Sequence, residues 1–236
     1  MYKINFIYKK LNENFKTILF LHGWGCNKNY FKKTTEIIDY ANTIIIDLPG
    51  FGENDKLARP FEIEDFVEEI TLFLSFNNFH PDMIIGHSFG GKLAVFLAKK
   101  IKVKSLILLS PSIINKRKSL MTLIRIFLYK IIKRIKFLDF ISKKMGSEDY
   151  KSLSSVMKKT MSNIINKNGL NTFKEINTET LLIYGKQDTI TPPYLGKKLC
   201  KVNKKSNFIE LDGDHFFYLT NLTIINKIIK ELITNG

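Results

Sequence analysis

Short apolar runs alternate with amphipathic stretches over most of this chain. Residues 17–21 (TILFL), 43–46 (TIII), 82–86 (DMIIG), 105–109 (SLILL), 180–184 (TLLIY) and 207–211 (NFIEL) are dense in Ile and Leu. Continuous apolar runs of that length predict strands covered on both faces, as in a parallel sheet. Residues 4–8 (INFIY) predict an edge strand. Residues 30–40, 61–76, 89–100, 194–201 and 219–233 carry helical patterns instead. Strands that alternate with helices predict an α/β architecture: a mostly parallel sheet with helices on both faces.

The alternation breaks over about residues 111–174. That stretch has no good strand signal and several helical ones. It opens at Ser110-Pro111, where proline cannot supply a ladder donor. The predicted organisation is a core of residues 1–110 and 175–236, with residues 111–174 inserted as a helical cap.

Charge singles out the cap. The formal net charge is +15, and residues 116–144 hold ten Lys or Arg against one acid, Asp139. On a helical wheel Leu120, Ile124, Phe127, Ile131 and Ile135 share one face. Arg125, Lys130, Lys133 and Arg134 lie opposite, with Leu123 and Ile126 intruding on that side. Such a stretch reads as a lid with a solvated basic face, as a dock for an acidic acyl carrier protein or anionic substrate, or as a contact with an anionic membrane surface. Nucleic acid fits less well, since no recognised binding module accompanies the charge.

Composition adds bounds. The 236 residues, 44% of them hydrophobic, are enough for one well-buried domain without repeats or disordered tracts. Cys26 and Cys200 lack CxxC or Cys/His spacing, so they read as free thiols in a reducing compartment, and no metal or cofactor is expected. The first ten residues lack a signal-peptide core, and no uncharged apolar run approaches the roughly 18 residues of a membrane span. The expected location is cytoplasmic.

The chemistry concentrates in four loops. Gly86-His87-Ser88-Phe89-Gly90-Gly91 follows one predicted strand and opens a predicted helix. Glycines there allow a sharp turn that exposes the Ser88 hydroxyl at its tip. A serine hydroxyl needs a base. Of the four histidines, His215 follows the last strand at the sheet edge where ligands collect in open α/β folds. His22 belongs to another loop, His80 precedes Pro81, and His87 neighbours Ser88 but points elsewhere in a turn. The base needs an orienting carboxylate. Asp188 follows residues 180–184 on a third strand-end loop and is preferred, with Asp212 and Asp214 as alternatives. An oxyanion needs donors: the Phe89 N–H is one, and the Trp24 N–H, in His22-Gly23-Trp24-Gly25, is the other.

In this order and spacing, HGWG, DLPGFG, GHSFGG, YGKQDTITP and GDH resemble the α/β-hydrolase superfamily over residues 17–110 and 175–236. The resemblance implies an eight-stranded core with a helical cap inserted after about the sixth strand. It implies Ser88 as nucleophile, Asp188 as acid, His215 as base, and Trp24 and Phe89 at the oxyanion hole. Ser88 departs from the haloalkane dehalogenases and epoxide hydrolases, which use Asp at the elbow. HGWG departs from the HGGPG of proline iminopeptidases. HGWG with DLPGFG is similar to the carboxylesterases that demethylate pimeloyl-carrier-protein esters. The N-terminal region is short for the superfamily, which points to a missing edge strand. The expected activity is hydrolysis of a small-molecule carboxylic ester. The alternatives are thioester or C–C bond hydrolysis with the same triad, and a ligand receptor on the same fold.

Overall fold

The computed structural model of the chain describes residues 2–114 and 153–235. Its strands are β1 (Phe6–Lys9), β2 (Thr17–Leu21), β3 (Asn42–Ile46), β4 (Met83–His87), β5 (Ser105–Leu109), β6 (Glu179–Gly185) and β7 (Ser206–Leu211). They form one sheet in the order β1-β3-β2-β4-β5-β6-β7. Only β1 runs antiparallel, against β3; every other pair is parallel.

Alternate residues of the strands enter two apolar layers, as the period of two requires. Leu19, Leu21, Ile84, Leu106 and Leu108 pack with Phe66, Ile70, Leu93 and Leu97. The first pair comes from α2 (Ile63–Phe76) and the second from α3 (Phe89–Lys100). Ile18, Phe20, Ile45, Ile85 and Ile107 face the other way, onto Phe31, Ile38, Ile225 and Ile229. The last two belong to α7 (Leu222–Asn235). The central strands are therefore buried on both sides, which is why they read as unbroken apolar runs.

Two expectations need correcting. Residues 30–40 do not form one helix. A 3-10 turn (Lys28–Phe31) leads into a five-residue α1 (Lys32–Glu36). The Lys9 ammonium then takes the carbonyls of Thr35, Glu36 and Ile38 at 3.1, 3.2 and 2.7 Å. Carbonyls held by a side chain from β1 no longer wait for the next helical turn. The insertion point also differs: it follows β5, the fifth strand, instead of about the sixth, while the seven strands among the described residues agree with the missing edge strand expected from the short N-terminal region. The outer strands are β1 and β7, so the missing strand falls at an edge and leaves the central parallel pairs intact.

Of the predicted cap, the basic stretch 116–144 lies outside the described residues. The described part contains α4 (Ser155–Asn166) and α5 (Leu170–Glu175). Several contacts fasten it to the rest of the chain. Phe61 N–H donates to Thr160 Oγ1 at 3.0 Å. Gly169 N–H donates to the Ile113 carbonyl at 3.1 Å, so the two flanks of the insertion meet. The buried Lys92 of α3 donates through Nζ to the carbonyls of Ile164 and Lys167, each at 2.9 Å, which caps the C-terminal end of α4. Burial lowers the Lys92 pKa from 10.5 to about 8. The last helix before β7 is α6 (Pro193–Val202).

Candidate active site

The C-terminal ends of the parallel strands converge on one edge of the sheet, where open α/β folds place their ligands. Ser88 stands at the turn from β4 into α3, with φ 51° and ψ −110°. A non-glycine residue in that region costs on the order of 1–3 kcal/mol and persists only where its surroundings over-determine it. They do so here. Its N–H donates to the Leu109 carbonyl at 2.9 Å, and its carbonyl accepts from Ser112 N–H at 3.0 Å and Lys92 N–H at 3.2 Å. The flanking glycines are required by close approach. A Cβ on Gly86 would lie 2.5 Å from the Gly90 carbonyl oxygen, and one on Gly90 would lie 2.1 Å from that of Leu21.

His215 and Asp188 are brought together by two interlocked loops. Gln187 N–H donates to the Gly213 carbonyl at 3.0 Å, and Gly213 N–H donates to Gln187 Oε1 at 2.6 Å. His215 Nδ1 then lies 2.8 Å from Asp188 Oδ2, with both residues buried. The other carboxylate oxygen accepts from the N–H groups of Ile190 at 2.8 Å and Thr191 at 2.9 Å. Burial raises the Asp188 pKa, but the His215 bond, the nearby Ser110 hydroxyl and the backbone donors outweigh it and bring it down to about 2. The Ser110 hydroxyl acts through proximity only, because it forms no well-shaped hydrogen bond. The alternative acids point elsewhere. Asp212 is exposed and pairs with Lys186 at 2.8 Å, and Asp214 accepts the Phe216 N–H at 2.8 Å. With Nδ1 committed to Asp188, Nε2 is the nitrogen left for chemistry. Among the described residues no hydrogen bond joins His215 to Ser88 Oγ; such contacts commonly tighten only when substrate arrives.

The other buried histidines hold this geometry. His87 lies 4.7 Å from His215, ring centre to ring centre, and its Nε2 bonds the His215 carbonyl at 3.0 Å. Burial, then the neighbouring His215, lower its pKa to about 3, so it stays neutral and donates through Nε2. His22 is buried, with a pKa lowered to about 4 mainly by burial. Its Nε2 accepts the Leu48 N–H at 3.0 Å, so Nδ1 carries the proton and donates to the Gly23 carbonyl at 2.8 Å. The peptide joining Gly23 to Trp24 is planar and trans. Fixing its carbonyl on the His22 side therefore aims the Trp24 N–H the opposite way. Neither that N–H nor the N–H of Phe89, the first residue of α3, has an acceptor among the described residues. The Trp24 indole packs on Phe51 and Phe89 with ring centres 4.8 and 5.8 Å away. His80 is exposed and bonds Asn78, away from the site. The sequence reading missed the latches made by His22 and His87, because a histidine string says nothing of which carbonyl each ring reaches. Among the described residues no group of three or more His, Cys, Asp or Glu is placed to hold a metal ion.

A parallel sheet, a strained serine between strand and helix, and an Asp–His pair on the last two strand-end loops define the α/β-hydrolase fold, and the chain has that fold. The family model described as alpha/beta hydrolase fold matches residues 16–131, a stretch that includes Ser88 and Trp24 but not Asp188 or His215. The chain is 32% identical over 96 residues to the pimeloyl-[acyl-carrier protein] methyl ester esterase of Pseudoalteromonas atlantica, covering 39% of this chain and 36% of that protein. The chain thus matches little more than a third of that relative's length. Among solved structures it is similar to an esterase from Exiguobacterium antarcticum, with TM-score 0.78, 16% identity and coverage of 99% and 96% of the two chains. It is also similar to the meta-cleavage product hydrolase CumD of Pseudomonas fluorescens, with TM-score 0.74, 15% identity and coverage of 99% and 94%.

Proposed function

We propose that the protein is a serine hydrolase that cleaves carboxylic esters through an acyl-enzyme on Ser88. The observation that carries this reading is the combination of a strained, half-buried serine with a buried His215–Asp188 pair 2.8 Å apart on the same sheet edge. In the proposed sequence Ser88 Oγ attacks the ester carbonyl carbon while His215 Nε2 takes the hydroxyl proton. The N–H groups of Trp24 and Phe89 hold the oxyanion, and each such donor is worth on the order of 10² to 10³ in rate. The carbon–oxygen bond then breaks, and His215 returns the proton to the departing alcohol. Water, deprotonated by the same imidazole, attacks the acyl-enzyme and releases the acid. Asp188 stays ionised throughout and stabilises the imidazolium.

The name of the Pseudoalteromonas relative favours a carrier-protein methyl ester as substrate, and the basic stretch 116–144 supplies the charge an acidic carrier would meet. Two free cysteines, Cys26 and Cys200, support a reducing, cytoplasmic place of work. The test is labelling by a fluorophosphonate together with turnover of p-nitrophenyl esters from acetate to dodecanoate. Both are expected in the native protein and lost in Ser88→Ala. Full turnover by that variant would overturn the mechanism.

A further inference from the structure

The strand-end crevice contains a fourth polar group that the mechanism above does not use. Thr191 Oγ1 is buried 2.9 Å from Asp188 Oδ2, 3.2 Å from His215 Nδ1 and 3.0 Å from the Ser110 carbonyl oxygen. A hydroxyl has one proton and two lone pairs. It can therefore donate to Asp188 Oδ2, or donate to Ser110 and turn a lone pair to the His215 Nδ1–H. Both acceptors are fixed. Asp188 is anchored by two backbone donors to its other oxygen. Ser110 sits at φ 44°, a strained value for a serine, with its N–H bonded to the Ile183 carbonyl at 2.8 Å. The Ser110 carbonyl is thereby held within hydrogen-bond reach of the Thr191 hydroxyl, beside the acid–base pair.

Resting on the hydrolase reading, we propose that Thr191 is a positioning residue for the acid–base pair. Its hydroxyl keeps Asp188 Oδ2 in line with His215 Nδ1 and switches acceptor, from Asp188 to Ser110, when the imidazole gains the Ser88 proton. The carboxylate then gives its full charge to the imidazolium, and Thr191 accepts a share of the Nδ1–H. No bond other than hydrogen bonds is made or broken at Thr191, and no proton leaves it.

The test compares Thr191→Val, which keeps the shape and removes the hydroxyl, with Thr191→Ser, which keeps the hydroxyl. Losing one hydrogen bond of ordinary net strength corresponds to roughly a two- to tenfold effect. Thr191→Val is expected to lower kcat by that amount with KM unchanged, and Thr191→Ser to restore kcat. Independently of substrate, the low-field proton resonance of His215 Nδ1–H is expected to move in the Val variant and return in the Ser variant. A Thr191→Val protein that folds, by its melting curve, with native kcat and an unmoved resonance overturns the proposal. Loss of turnover with a native resonance also overturns it, since that pattern is merely structural. If no ester is turned over by any form, the hydrolase reading fails, while the resonance still decides whether Thr191 orders the pair.

Discussion

At the scale of single residues, the site depends on protonation states that burial and hydrogen bonding together have fixed in advance. Burial alone would raise the Asp188 pKa, but its hydrogen bonds bring it down to about 2, so its negative charge is present throughout the neutral pH range. Asp188→Asn preserves the shape and removes the charge, and should lower kcat by orders of magnitude with a near-native fold. Asp212→Asn and Asp214→Asn should be mild, and kinetics of the three variants side by side would expose a wrong assignment. His22 and His87 are held neutral, at about 4 and about 3, against the ordinary 6.5. The unfolded chain therefore binds more protons than the native one once pH falls below 6.5, so their contribution to stability is complete above that value and is lost on the way down. Melting temperature should drop between about pH 7 and about pH 4.5, and the drop should be shallower in His87→Gln, whose amide can still donate to the His215 carbonyl. An equal drop in both proteins would show that His87 titrates normally.

At the scale of elements, the sheet was readable and its fastenings were not. β2 to β6 announce themselves because burial on both faces demands nearly continuous apolar runs rich in Ile and Leu. The turn at Ser88 is readable because two glycines stand where no side chain fits. The meeting of the Asp188 and His215 loops follows from parallel strands ending at one edge. By contrast, the helix expected over residues 30–40 is cut short by Lys9, a residue from a strand distant in sequence, and local pattern cannot report such a partner. Lys92 is a stronger case: a lysine inside an apolar helix pattern reads as a surface residue, yet it is 1% exposed and caps α4. Its native pKa of about 8 lies below the ordinary 10.5, so the unfolded state binds more protons between these values. Stability from this group therefore rises with pH from about 8 to 10.5. A neutral amine still has two N–H donors for its two carbonyls, so the cap survives deprotonation. Lys92→Met should remove that upward slope and weaken the seating of α4, seen as a lower melting temperature and faster amide exchange in residues 155–166. An unchanged slope would place the titration elsewhere.

At the scale of the whole molecule, charge and chemistry occupy different segments. Residues 116–144 supply nine of the fifteen net positive charges, from ten bases and one acid, while Ser88, Asp188 and His215 lie outside that stretch. If the stretch recruits an acidic carrier, it acts on encounter, which salt screens beyond a Debye length of about 8 Å. Replacing Lys130, Lys133 and Arg134 with Gln should then raise KM for a carrier-protein ester and leave a small neutral ester unaffected. Added salt should imitate the substitution on the native enzyme; identical responses of the two substrates would remove the carrier from the account. The bond between Gly169 and Ile113 bears on how such a molecule acquires new substrates. That bond holds Ile113 and Gly169 together, so the two ends of the segment between them are fixed side by side. Closure entropy grows only with the logarithm of loop length, by about 0.6 kcal/mol for each doubling. A segment of different length can therefore join the same two ends at small thermodynamic cost, and the Asp188–His215 pair, held by its own loops, keeps its partners through the change.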